Sequence, residues 1–157
     1  MIKNGDVVGY FPPSHFRGIV LEDVLKMFVE RANVELKKIQ EAKITITNTA
    51  RIFRLDKVAL ATTTDIISEN IINEIFDGDF EDDWLMPVRK LGKKSKIINP
   101  LYLFLDEEVL LYAKLRKLIF KKTKLEKNKI SLFLDGLEEK HPEVKRAIVN
   151  GYLGLYN

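Results

Sequence analysis

Two histidines, one run of carboxylates and two runs of cations are the side chains in this sequence that could do chemistry. His15 and His141 each lack a second metal ligand at helical spacing, and neither belongs to a serine–carboxylate constellation. His141-Pro142 reads as a turn between helices. Asp77, Asp79, Glu81, Asp82 and Asp83 have neither the spacing nor the turn glycine of a calcium loop, so a solvated acidic loop is expected. No cysteine occurs in the 157 residues, which excludes thiolate catalysis, disulfides and thiolate-held metals. No catalytic residue, cofactor or metal is expected.

The segment best placed to hold an anion is 6–31. Its apolar strand (DVVGYF), loop and helix form the unit in which free backbone N–H groups and a helix start cradle phosphate. The loop runs Pro12-Pro13-Ser14-His15-Phe16-Arg17. Proline has no N–H, so two donors are missing where a cradle needs them. A rigid connector is therefore expected, although Arg17 and His15 could meet an anion through charge. Thr62 and Thr63, after a second apolar strand, are the other positions that could face a nucleotide.

The cations lie in two groups. Arg89, Lys90, Lys93, Lys94 and Lys96 form a basic loop. From 114 to 129 eight cations, Lys121 and Lys122 among them, are offset only by Glu126. Such a density suits contact with nucleic-acid phosphates, which is electrostatic and indifferent to sequence; a solvated face is the plainer alternative.

These residues need elements to position them. Leu21, Val24, Leu25 and Phe28 share one face of a helix expected over about 18–31. Residues 32–47 fit either a strand or a longer helix. A short helix (TARIFRL) leads to a strand over Lys57–Thr63. A helix over about 65–76, with Ile67, Ile71, Ile72 and Ile75 inward, stops near Gly78. Lys96–Ile98 is a minimal strand. Helices over about 107–119, 127–140 and 142–156 complete the chain, the first capped by Asp106 and the last with Pro142 in its first turn. Alternating strands and helices, then helices alone, predict one α/β domain: a parallel sheet over about 1–100 and a helical part over about 101–157. The hydrophobic share of 46% is that of a globular chain. The opening MIKNGDVVGYFPPS lacks the order of a signal peptide, and no apolar run approaches the roughly 20 residues of a membrane span, so a cytoplasmic protein is expected.

The order TNTARIFRLDKVALATT, FDGD, PVRK, INPLYLFLDEEVLLYAKL and FLDGLEEKHPEVK resembles the PP-loop ATP pyrophosphatases, above all the tRNA thiolation enzymes that place sulfur on C2 of uridine or cytidine. Ala61-Thr62, Gly78-Asp79, Pro100-Leu101 and Asp106-Glu107-Glu108-Val109 stand where that family has matching pairs and a helix opening. The resemblance covers most of 6–150 and implies a Rossmann-like parallel sheet, a reduced PP-loop ATPase fold. Its chemistry is missing. The family's Ser-Gly-Gly-x-Asp-Ser loop falls on Pro12–Arg17, where no glycine stands. Its Gly-His-x-x-Asp-Asp signature falls after Thr62, where Thr63-Thr64-Asp65-Ile66-Ile67 lacks the paired acids. Asn99 replaces the Lys or Arg before Pro-Leu. The family's catalytic cysteines and zinc-ribbon cysteine pairs are absent, and one strand–helix unit between Arg31 and Asn48 is missing.

The resemblance thus implies a non-catalytic member, like the degenerate relative that partners an active thiolation enzyme in eukaryotes. The expected partners are an active paralogue, tRNA or a second copy of the chain, and no membrane. Apolar strands DVVGYF and KVALATT, which the lost unit would leave as edges, need a cover: the 32–47 segment folded back, a second copy or the active paralogue. The alternatives are an ATP- or AMP-binding protein of the same fold, and an interaction module with no tie to tRNA.

Overall fold

The computed structural model describes residues 2–11, 15–39, 46, 50, 53–78, 85–92, 94–121 and 127–155. Strands β1 (Val7–Tyr10), β2 (Glu35–Lys38), β3 (Lys57–Ala59), β4 (Val88–Leu91) and β5 (Ser95–Ile98) form one sheet in the order β2-β1-β3-β5-β4. Every pairing is parallel except β4–β5. The helices are α1 (Phe16–Ala32), α2 (Thr64–Asp77), α3 (Asp106–Leu115), α4 (Lys129–Lys140) and α5 (Val144–Leu155).

β1 and β3 are apolar because they are central. Val8 and Val58 are fully buried, one on each face of the sheet. Gly9 is small by necessity, since a Cβ there would collide with Leu55 and Ile39 packed on it. The edges are instead β2 (ELKK) and β4 (VRKL), whose charges suit a strand exposed to solvent. Of the three covers expected for these strands, the 32–47 segment supplies the one over β1: Glu35–Lys38 folds back beside it, in the register Val7↔Glu35, and β3 lies between β1 and β5.

Leu21 and Leu25 turn inward from α1, but Phe28 stays exposed. The helix stops at Asn33, which takes the left-handed conformation that asparagine tolerates. α2 stops at Gly78 as its sequence predicts, the Gly78 N–H closing on the Glu74 carbonyl. Ile67 and Ile71 are buried; Ile75, expected inward, is exposed. α3 ends four residues short of the expected Ile119, and Leu105 rather than Asp106 is its cap residue. Asn128 caps α4 by accepting the Ser131 N–H at 2.8 Å. Pro142 lies in the α4–α5 turn, not inside α5. The strand over Lys57–Thr63 shortens to three residues. The basic loop at 89–96 is a hairpin, β4 and β5 joined through Gly92 at φ 65°. Thr49, Arg51 and Ile52 of TARIFRL, and residues 79–83 of the acidic loop, lie outside the described residues.

The β1–α1–β2 crossover runs one way across the sheet and β3–α2–β5 the other. Parallel crossovers are right-handed, so α1 and α2 cover opposite faces. α3 joins α1 over Val8, Tyr10, Ala59 and Ile98, whereas α2 packs with α5 through Ile67, Ile71, Val149 and Tyr152. No helix among the described residues is long and apolar enough to cross a membrane.

Candidate functional site

Between β1 and β3 the crossovers diverge, and in open α/β sheets the crevice at the carboxyl ends of such strands is where ligands bind. The loop after β1 brings His15 and Arg17 to this point; the loop after β3 brings Thr62 and Thr63. Pro12, Pro13 and Ser14 lie outside the described residues. The structure thus draws together Arg17 and Thr63, two of the positions singled out from sequence, around a third group that was read only as a helix cap. Arg17 donates through Nε to Asp106 Oδ1 at 2.6 Å and through Nη2 to Oδ2. The Thr63 hydroxyl donates to the same Oδ1 at 2.8 Å. Thr63 is fully buried, and the guanidinium sits 5.5 Å from the Phe16 ring centroid. The anion at the switch point is therefore the chain's own Asp106 carboxylate. Bidentate charge-assisted bonds are among the strongest polar contacts available to a side chain.

His15 caps α1 in an extended conformation without a side-chain hydrogen bond. Burial, then the neighbouring Arg17 cation, holds its pKa below the usual imidazole value against the upward pull of Asp106. It is neutral at pH 7 and adds no charge that would attract a phosphate. Thr62 is half-buried and makes no described contact with this group.

Asp106 also ties the crevice to the C-terminal helices. Its backbone N–H donates to Asp65 Oδ2 at 2.7 Å, while the Thr64 N–H donates to the Phe104 carbonyl at 2.9 Å, so the starts of α2 and α3 lock each other. Lys145 of α5, 6% exposed, donates to Asp65 Oδ1 and Asp135 Oδ1, each at 2.6 Å. Lys127 closes on the other oxygen of Asp135 at 2.5 Å. Burial pushes the Asp135 carboxyl up, but the bonds from Lys127 and Lys145 bring it below the ordinary carboxylate value. Glu108 is likewise pushed up by burial and brought down by the Leu105 N–H and Arg146. Burial opposes the charge on Lys145, but its two carboxylate partners raise its pKa above the ordinary lysine value, so it is no nucleophile.

Beside this network opens a cleft of about 960 Å³ between α2, α3, α4 and α5. Nine carboxylates and four cations line it, a balance that repels a triphosphate. No group of His, Cys, Asp and Glu among the described residues could hold a metal ion.

The cations singled out for nucleic acid separate into two places. Lys90 and Lys96 face each other directly across the β4–β5 ladder, both exposed, with Lys94 in the turn and Arg89 alongside. Lys93 and Lys122 are outside the described residues. Lys121 follows Phe120, whose ring lies 6.2 Å from that of Phe16 at the start of α1. It is thus at the carboxyl end of the parallel strands, the hairpin turn at the amino end of β5. They do not form one patch.

No family model and no curated protein matches the chain. Among solved structures it is similar to the U34-tRNA thiolase NcsA from Methanococcus maripaludis with its 4Fe–4S cluster. The TM-score is 0.72 at 19% identity, over 98% of this chain and 72% of that one. The chain has a PP-loop fold. The order of segments read from the sequence is borne out at that level: a mostly parallel Rossmann-like sheet followed by helices. Asp106 and Lys145 are what the sequence reading missed. The available signals were an acid opening α3 and a lone lysine in the apolar repeat of α5.

Proposed function

We propose that this chain is a non-catalytic PP-loop-like subunit that assists tRNA thiolation in the cytoplasm, docking on an active relative and touching tRNA through its cations. One observation carries the reading. At the switch point, where this fold would place the phosphates of a nucleotide, Arg17 and Thr63 hold the Asp106 carboxylate. A nucleotide would have to displace a buried, bidentate ion pair and then meet the carboxylate it displaced. ATP does not fit this arrangement.

The sulfur chemistry points the same way. Thiolation needs an activated base and a nucleophile that carries sulfur. Iron–sulfur clusters are held by thiolates, and these 157 residues supply none, so such a cluster does not fit the chain either. The likeness to NcsA supports the tRNA-thiolation setting; the chemistry would belong to the partner.

Affinity capture of the chain from its native cell, with mass spectrometry of bound protein and RNA, tests the reading. A cysteine-bearing PP-loop relative and tRNA are expected in the captured material. Recovery of neither would contradict the assignment.

A further inference from the structure

Asp106 closes the crevice, yet the groups it closes on are held in place without it. The Arg17 guanidinium lies 5.5 Å from the Phe16 ring centroid, and that ring packs 6.2 Å from Phe120. Thr63 is fixed by heading α2, its carbonyl accepting the Ile67 N–H at 3.0 Å. The start of α3 is tied down by other bonds. The Asp106 N–H is on Asp65, the Leu105 N–H on Glu108 at 2.8 Å, and the Thr64 N–H on the Phe104 carbonyl. Among the described residues the Asp106 carboxylate itself bonds only Arg17 and Thr63.

The pair is also within reach of solvent. Arg17 and Asp106 both line the cleft, their side chains 14% and 20% exposed. Of the other cations there, Lys145 and Arg146 each hold two carboxylates, and Lys127 shares Asp135 with Lys145. Arg17 alone among them has one carboxylate to itself, so the loss of one group would free one cation.

We infer that Arg17 and Thr63 form a receptor for a small oxyanion such as inorganic phosphate, and that Asp106 is the plug that holds it closed. A guanidinium fork and a hydroxyl are all donors, which suits the several acceptor oxygens of a phosphate. A nucleotide is the poorer ligand even without the plug, because the remaining carboxylates of the cleft repel a triphosphate. Removing the plug leaves the Arg17 cation without a partner in a largely buried place, which costs stability until an anion replaces it.

The inference rests on the reading of this crevice as closed, and its test separates the two. Asp106→Ala and wild-type protein are titrated with inorganic phosphate by calorimetry at constant ionic strength. The variant should bind phosphate saturably, and its melting midpoint should rise by about 5–10 °C at 100-fold excess over the Kd. The wild type should do neither. Asp106→Ala with Arg17→Met removes both charges and should fold without responding to phosphate. Should Asp106→Ala unfold without an anion, recovery of its fold in phosphate supports the inference as binding does. If phosphate neither binds nor restores that variant while the double variant folds, the receptor is overturned and the closed crevice stands. A double variant that responds equally places the anion elsewhere and overturns the receptor too. Phosphate bound by the wild type overturns both the plug and the closed crevice.

Discussion

Replacing Lys145 with methionine is expected to destabilise the fold by about 3 kcal/mol, the cost of breaking a buried ion pair from one side. Among the described residues Lys145 alone bridges Asp65 of α2 and Asp135 of α4, and it reaches them from α5. Methionine conserves most of the volume of the stem, so packing changes little and the charge alone is tested. Without the ammonium, two carboxylates face each other across the place it held. Asp65 also accepts the Asp106 N–H, so the strain passes to the start of α3 and to the Arg17 pair. Thermal or urea unfolding of Lys145→Met reads the loss. A companion variant carrying Asp65→Asn and Asp135→Asn with Lys145→Met should recover much of it, because no uncompensated carboxylate then remains beside the methionine. A single variant as stable as the wild type would show that solvent already screens the network.

Reversal of Lys90, Lys94 and Lys96 to glutamate is expected to weaken tRNA binding at least ~10-fold at low salt, with little regard to the tRNA's sequence. Lys90 and Lys96 are directly opposed across the edge hairpin, an arrangement of like charges that costs stability unless an anion lies between them. An RNA phosphate is such an anion. Each phosphate contact contributes a slope of about 0.9 to the dependence of log affinity on log salt for a duplex, so losing three should flatten it by about 2–3. Lys121 lies at the other end of the sheet, and Lys121→Glu should have the smaller effect. Fluorescence anisotropy over a salt series measures both quantities. Wild-type protein with no affinity for tRNA at low salt, alone or with its partner, would reduce these lysines to a solvated edge.

Much of the architecture was legible because the core writes it locally. Leu21 and Leu25 mark α1 at helical spacing, and the left-handed Gly78 marks the end of α2. The edges were harder. Glu35–Lys38 mixes charge with apolar stem and fits either a strand or a helix, because an edge strand needs only one covered side. Val88–Ser95 read as a run of cations, and only Gly92 hinted at a hairpin. In the site, Arg17 and Thr63 were legible from their place after β1 and β3, since topology alone sends those loops to one crevice. Their anion was not. Asp106 is 89 residues from Arg17, and Lys145 is 80 from Asp65; no local pattern announces contacts that only the packed helices create. The cover over β1 is one of the three the sequence left open, and the strand that supplies it comes from the stretch whose periodicity is ambiguous.

The central claim is that the nucleotide crevice of this PP-loop fold is closed by the chain's own carboxylate. Isothermal calorimetry with ATP and magnesium on the intact protein tests it most directly. The account predicts no heat of binding at micromolar ligand and no release of pyrophosphate on prolonged incubation. Saturable ATP binding with a micromolar Kd would contradict it, and would mean that Asp106 yields its place on Arg17 and Thr63 to a phosphate.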